Sequence, residues 1–357
     1  MYINPFLFIL PRPPGQVVWN YKNHTQHELG LEYSNRLAKL IDNPDLFDLG
    51  NIIDKQLLDA DILTIAKIDS PEWGWDELSR IYHIGTQNIP CEYIPQNIHE
   101  WSRQYLAHCS EVLAKPEPAH SRSPQPVEAL ISLPKPGAMD DDSLTRALLK
   151  RKTCRSYTGA AVTLDEVGKL LYFTLGYLPP RENAHDDPVA PGLEARRSCP
   201  SGGGLNACEG FLLAQNVSGL EPGVYAYHPA EHALSRINAL PDPQLGQLLG
   251  GQHFINNLPL GVFITARFDR LWWKYEHSRA YRMAFIEAGH LSQTFQLVAT
   301  TLGLNTWLTG AFADAQVETL LGIAGSAEQP LFFVGCGESD GQAMCQEMRD
   351  LLSGVAS

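Results

Sequence analysis

The sequence predicts an α+β fold, a central antiparallel-type sheet with flanking helices, preceded by a small winged-helix-like module. Three observations lead there. Apolar residues recur at helical spacing over 279–302, where Met283, Ile286, Leu291, Phe295, Val298 and Leu302 mark one face and Gly303 supplies the stop. Several short runs, from "EGFLLAQN" to "QPLFFVGCGE", have the apolar content and Gly or Pro boundaries of strands. A proline-rich stretch carrying Pro116, Pro118, Pro124, Pro126, Pro134 and Pro136 divides a chain of 357 residues, long enough for two domains at roughly 100–200 residues each. The expected division is an N-terminal module over 1–113, a linker over 114–140 and the larger domain over 141–357.

The module opens with two strand-like pieces, "FLFIL" and "QVVWNY". Two helical patterns follow: Leu37, Leu40 and Ile41 share one face in "YSNRLAKLI", and Ile52, Ile53, Leu57 and Ala60 share another in "LGNIIDKQLLDADIL". "PEWGWDELSRIYHIGTQ", with Trp73, Trp75 and His83, reads as a helix that packs on the second domain. His24 and His27 lack the third ligand that a metal needs. In the larger domain "LTRALLKRKTCRSYTG" begins as a helix and ends in a basic turn. Thr163 and Glu166 form a capping box ahead of "VGKLLYFTLGYL". "EGFLLAQN", "GVYAYHP", "ALSRI" and "LGVFITARF" then alternate as strands, and the continuously apolar "QPLFFVGCGE" suits a sheet interior.

Composition excludes several classes of partner. The formal charge of -13, from 40 acids against 27 Lys and Arg, opposes a polyanion, since nucleic-acid affinity comes from cations that neutralise phosphates. Residues 1–110 hold 14 acids and 8 bases, so the winged-helix-like module is expected to dock a peptide or to serve structurally, with no nucleic acid as partner. Seven cysteines, an odd number with no C-x-x-C spacing, point to reduced thiols in a cytoplasmic protein and to no metal site. "MYINPFLFILPRPP" has no basic leader and is broken by prolines, so neither a signal peptide nor a membrane partner is expected.

Three stretches carry chemistry. In "RKTCRSY", Arg151, Lys152 and Arg155 surround Thr153, a set suited to a phosphate monoester through charge-assisted bonds, although read alone it is explained more simply by a solvated helix terminus. In "RSCPSGGGLNACE", Pro200 and Ser201 precede Gly202 and Gly203, which let the backbone approach a planar ligand or simply form a flexible turn. The loop is no P-loop, and the G-x-S-x-G elbow that would make Ser201 a nucleophile is absent. In "LWWKYEHSRAYR", Lys274 and Tyr275 follow the strand pattern after a short apolar link. They suit a base pair facing a ligand, or a lysine stem lying on aromatic surface.

Taken in register with "PGVYAYHPAEHAL", "YRMAFIEAGHLSQ" and "GLNTWLTGAFAD", these stretches resemble the nitroreductase superfamily of flavin enzymes over roughly residues 145–340. The resemblance is closest to the SagB-type branch, azoline dehydrogenases of thiazole/oxazole-modified peptide biosynthesis. It implies FMN bound at the interface of a homodimer. Arg151, Thr153 and Arg155, with Lys152 beside them, would hold the ribityl phosphate and pyrimidine edge. Pro200, Ser201, Gly202 and Gly203 would form the loop over the ring, and Thr309 and Gly310 would face N5. Lys274 and Tyr275 match the pair that removes the Cα proton while hydride passes from Cβ to the flavin, which O2 reoxidises. A cation near N1 and O2 favours the anionic reduced ring, a role suited to Arg155. Asn206 and Ala207 replace the family's Tyr-Pro, and the C-terminal tail lacks its basic pair, with Arg349 alone nearby. The resemblance also implies a peptide or carrier-bound substrate and cyclodehydratase or synthetase partners. Two other readings stand beside it: a general NAD(P)H-dependent nitro or quinone reductase, and a non-catalytic docking subunit.

Overall fold

A computed structural model describes residues 1–70, 72–88, 90, 93–114, 143–179, 195–242 and 244–354. Apart from Ala114, the proline-rich linker read over 114–140 lies outside the described residues. The chain forms two compact units, one of residues 1–92, 268–281 and 325–327, the other of 93–267, 282–324 and 328–357.

The first unit contains β1 (Tyr2–Ile3), β2 (Leu7–Arg12), β3 (Gly15–Asn20), β4 (Thr25–Leu29), α1 (Leu31–Asp42), α2 (Ile52–Asp59), β5 (Leu63–Thr64) and α3 (Glu77–Gly85). β2, β3 and β4 form an antiparallel sheet with β3 in the middle. β4 has no apolar alternation to reveal it: "TQHEL" is an edge strand with only Leu29 buried. Val18, Leu29, Leu37, Leu40, Leu57, Ile62 and Leu63 form the core. Two expected core residues are exposed instead, Ile41 at 54% and Ile52 at 67%. Ile41 stands beside Leu40 but one residue further round α1. Ile52 opens α2, where Asn51 caps the helix by accepting from the N–H groups of Ile53 and Asp54.

The second unit contains α4 (Ile98–Leu113), α5 (Ser143–Lys150), β6 (Val162–Thr163), α6 (Leu164–Leu175), β7 (Cys208–Ala214), β8 (Val217–Ser218), β9 (Gly223–His228), β10 (Ala233–Asn238), α7 (Leu245–Leu248) and β11 (Leu260–Arg267). The chain passes through α8 (Phe268–Lys274), which belongs to the first unit, and continues with α9 (Tyr281–Thr301), β12 (Asn305–Thr309), α10 (Asp314–Leu321), β13 (Glu328–Gly337) and α11 (Gln346–Ser353). The Thr163–Glu166 capping box starts α6 as read. Six strands form the main sheet in the order β10-β9-β7-β11-β13-β12, each pair antiparallel. β11 lies inside it, with Phe263 in register with Phe211 on β7 and Phe333 on β13. That column and Trp307 on the edge strand β12 belong to one buried cluster. "NTWLT" gives no strand signal of its own because it is short and mixed, yet Trp307 is 2% exposed.

Leu291, Phe295, Ala284 and Ala288 on α9 are buried, whereas Ile286, expected on the buried stripe, is 49% exposed. The buried face of α9 carries Glu287, Ser292 and Gln296 among its apolar residues, and these polar positions blur the 3.6-residue pattern from which the stripe was read. Among the described residues no helix is long and apolar enough to cross a membrane.

Candidate functional site

The basic turn forms where α5 ends. Thr153 makes a parallel bridge to Thr306 on β12, and the Cys154 N–H donates to the Thr306 carbonyl at 3.0 Å. The Thr306 hydroxyl reaches the Lys152 carbonyl at 3.4 Å and Oε1 of Gln296 on α9 at 3.3 Å. Arg155 is anchored through its guanidinium to the Ala343 carbonyl at 2.9 Å, and lies 6.0 Å from the centre of the Phe254 ring. Lys152 runs against Gly341, where a Cβ would stand 2.6 Å from Nζ and φ is +75°. Among the described residues neither Arg151 nor Lys152 pairs with a carboxylate. The turn therefore presents two cations that pair with no carboxylate among the described residues, a donor set that fits a phosphate.

At the other end of β12, the Thr309 hydroxyl accepts from the Ala311 N–H at 2.9 Å and from the Gln252 amide at 3.3 Å. Exposed Gly310 follows, beside Phe332. The same edge strand thus fixes Thr153 at one end and Thr309 at the other.

Pro200 leads into the glycine loop. Gly202–Gly204 make one 3-10 turn, with Gly203 at φ +64° and Gly204 at φ +70°, values that favour glycine. A Cβ on Gly202 would meet the Met283 side chain of α9 at 3.2 Å. The Ser201 hydroxyl donates to Oε2 of Glu287 at 2.6 Å and accepts from the Asn206 N–H at 2.8 Å. The other Glu287 oxygen accepts from the Cys208 N–H at 3.1 Å. Arg197 stands beside this carboxylate, with Nη1 3.8 Å from Glu287 and 2.5 Å from the Cys208 carbonyl, and Nη2 3.5 Å from Glu209. Both Arg197 and Glu287 are under 5% exposed. Burial, then the Glu287 charge, pushes the Cys208 thiol well up from its usual range, so it stays protonated. Glu287 and Arg197 escaped the sequence reading. The signal for Glu287 was a lone acid at a core position of the longest helix, and for Arg197 a cation directly before the glycine loop.

α9 connects the two candidate elements of the second unit. Glu287 meets the glycine loop, and Gln296 meets Thr306 at the basic turn. Nine residues of helix set these contacts about 13 Å apart.

Lys274 and Tyr275 stand at the C-terminal end of α8 in the first unit, Lys274 exposed and Tyr275 half-buried. The cofactor candidates all belong to the second unit. Residues 73–83 hold the segment that carries the pair. The Trp75 indole N–H donates to the Tyr275 carbonyl at 2.9 Å, and the Gly74 backbone lies so close to Trp272 that a Cβ would be 2.3 Å from its ring. Trp73 packs edge-on to Trp272 at 5.5 Å, and Phe268 stacks on Tyr281 at 5.1 Å. His83 Nδ1 lies 2.8 Å from the Tyr281 hydroxyl. Burial lowers the His83 pKa to about 4 and raises that of Tyr281 far above the ordinary phenol range.

A protein-family model described as the nitroreductase family matches residues 148–338, more than half of the chain. The chain belongs to the nitroreductase family. This nitroreductase-family chain is 30% identical over 203 residues to MJ1384 of Methanocaldococcus jannaschii, a protein named as a nitroreductase, covering 56% of this chain and 92% of that one. It is 30% identical over 138 residues to the trifolitoxin-processing protein TfxB of Rhizobium leguminosarum bv. trifolii, covering 37% of each. It is 30% identical over 155 residues to the microcin B17-processing protein McbC of Escherichia coli, covering 42% of this chain and 56% of McbC. The chain thus spans little more than half of McbC and about a third of TfxB. Its α+β architecture, helices around a central antiparallel sheet, is the one expected for the nitroreductase family.

Proposed function

We propose that this nitroreductase-family oxidoreductase is an FMN-dependent azoline dehydrogenase of the SagB type, acting on a peptide or carrier-bound precursor. The observation that carries the reading is the Lys274–Tyr275 pair at the end of α8, directly after the core strand β11, in a chain whose relatives include proteins named for processing trifolitoxin and microcin B17. Arg151 and Lys152 would hold the phosphate, Thr153 and Arg155 the ribityl chain and pyrimidine edge, and Pro200, Ser201, Gly202, Gly203, Thr309 and Gly310 the ring. Bound FMN would supply a two-electron acceptor for the hydride leaving Cβ, with O2 as terminal oxidant. The chain's own part is to take the Cα proton at Lys274 Nζ or Tyr275 Oη, so that loss of H+ and hydride leaves a new double bond in the ring. Either group has to be deprotonated to act as that base.

The proposed assembly is a homodimer working with cyclodehydratase or synthetase partners. Phe285 and Ile286 on α9, 44% and 49% exposed, support a covered face there. A general nitro or quinone reductase is the second reading, favoured by the match to MJ1384 over nearly all of that protein. One experiment separates them. FMN-loaded protein is mixed with an azoline-bearing peptide, and a mass loss of two hydrogens is sought, alongside NADPH consumption with a nitroaromatic acceptor. Dehydrogenation that disappears in Lys274→Ala and Tyr275→Phe while flavin content holds supports the first reading. Rapid NADPH turnover unaffected by both substitutions supports the second.

A further inference from the structure

We propose that Glu287 is the positioning residue of the glycine loop, and that Ser201 serves the cofactor through this carboxylate and not through a hydroxyl contact of its own. The inference rests on the flavin reading above, because it assigns a function to the loop conformation. The Ser201 hydroxyl has one proton, and it is directed at Glu287 Oε2 at 2.6 Å. One of its lone pairs already accepts from the Asn206 N–H at 2.8 Å. The serine therefore ties the start of the loop, its exit at Asn206 and the helix α9 to a single point. The second carboxylate oxygen holds the Cys208 N–H, the first residue of β7, at 3.1 Å. Glu287 thus bridges both ends of the segment 201–208. The glycines between them carry left-handed backbone at Gly203 and Gly204, a conformation with little intrinsic preference that an external tether has to select.

A carboxylate is suited to this place and an amide is not. Glu287 is 3% exposed, and a buried charge persists only when paired and hydrogen-bonded. Arg197 supplies the charge at 3.8 Å and also grips the Cys208 carbonyl at 2.5 Å, while Ser201 and Cys208 supply the hydrogen bonds. Glutamine would accept from one of these two donors, but it would turn an NH2 toward the other and leave Arg197 with Glu209 alone as its counter-ion. The expected consequence is a loop that samples several conformations before the cofactor arrives, and so binds it less well.

The two roles for Ser201 differ in how substitutions combine. If the serine acts through Glu287, the effects of Ser201→Ala and Glu287→Gln on FMN affinity do not add. Full-length protein stripped of flavin is titrated with FMN by fluorescence quenching for wild type, both single variants and the double variant. The expected result is a rise in Kd of about tenfold in each single variant and no further rise in the double. Ser201→Thr, which keeps the hydroxyl, restores binding to within a few-fold. Amide hydrogen exchange on the flavin-free proteins gives a second readout: the N–H groups of Asn206 and Cys208 exchange faster in Ser201→Ala and return to the wild-type rate in Ser201→Thr. That arm stays decisive even if Glu287→Gln fails to fold. A double variant whose loss is the product of the two singles, or unchanged exchange at 206 and 208 in Ser201→Ala, overturns the proposal while leaving the flavin reading in place. A wild-type protein that takes up no FMN overturns both.

Discussion

Acidification should loosen the seat of Lys274 and Tyr275 through His83. The imidazole is 5% exposed, stacked on Trp73 at 4.9 Å and edge-on to Phe268 at 5.0 Å. The Gln87 amide nitrogen stands 3.3 Å from Nε2 and donates to it, so Nδ1 is the protonated nitrogen, donating to the Tyr281 oxygen. A second proton on Nε2 would face that NH2 group, donor against donor, inside an aromatic cluster. Burial accordingly lowers the pKa from 6.5 to about 4. A folded pKa below the unfolded one means that the unfolded chain binds the proton first. The stability associated with neutral His83 is complete above pH 6.5 and is lost as pH falls toward 4. A gap of about 2.5 units corresponds to about 3 kcal/mol. One other group opposes this trend in the second unit, where burial and then Asp314 raise Glu318 to about 7. Its contribution is complete below its ordinary carboxylate pKa and is lost as pH rises to about 7. His83→Phe separates the two, since it keeps the ring contacts and removes the titration. At neutral pH this variant should be less stable than wild type by about 1–3 kcal/mol, the effect of removing the hydrogen bond between His83 and the Tyr281 hydroxyl. The difference should close or reverse by about pH 4, as only wild type loses stability through His83. Urea midpoints followed by intrinsic fluorescence measure it, and Trp19, Trp73, Trp75, Trp272 and Trp273 place most of that signal in the first unit. A stability difference that stays constant across the acid range would refute the assignment.

Three further outcomes follow from the same contacts. Arg151→Ala should lower FMN retention at least tenfold, since a charge-assisted hydrogen bond is worth about 1.5–3 kcal/mol, and Arg155→Ala should do the same; unchanged flavin content after both substitutions would remove the basic turn from the site. Replacing Phe285 and Ile286 together by Asp should convert a dimer into a monomer in light scattering, whereas a wild type that is already monomeric at micromolar concentration would refute the covered α9 face. Gly74→Ala should destabilise the first unit by about 1–3 kcal/mol through overpacking against Trp272, seen as a lower melting temperature and a changed near-UV signal, with an unaltered melt as the refuting result.

The large elements were legible because each announces itself locally. The capping box at Thr163 and Glu166, the glycine stop after α9 at Gly303, φ +81°, and the apolar run of β11 need no distant partner to be read. β4 and β12 were not legible as strands: "TQHEL" and "NTWLT" owe their conformation to neighbours, Val18 opposite His27 and Val334 opposite Leu308, and an edge strand needs apolar side chains on one face at most. The reading of α9 failed at Ile286 for a related reason. A period count weighs apolar residues only, whereas the helix turns Glu287, Ser292 and Gln296 inward because each has a partner there or in its own backbone: Ser201 and Cys208 for Glu287, the Gly289 carbonyl for Ser292, and Thr306 and Gln293 for Gln296.

The candidate site shows the same boundary between local and distant information. "RKTCRSY" and "PSGGG" can be read as anion and loop elements because charge and backbone freedom are properties of the residues themselves. What Ser201 does with its hydroxyl depends on Glu287, 86 positions later, and what holds Tyr275 depends on Trp75, 200 positions earlier. From the sequence, the tryptophans at 73 and 75 read as the face of a helix packed on a second domain. The structure places them in one unit with residues 268–281, around a backbone, at Gly74, that only glycine allows so near to Trp272. The N-terminal residues are thereby part of the framework that fixes Lys274 and Tyr275. Losing the Trp75 donor should accordingly disturb that pair while leaving the basic turn and the glycine loop, which belong to the other unit, intact.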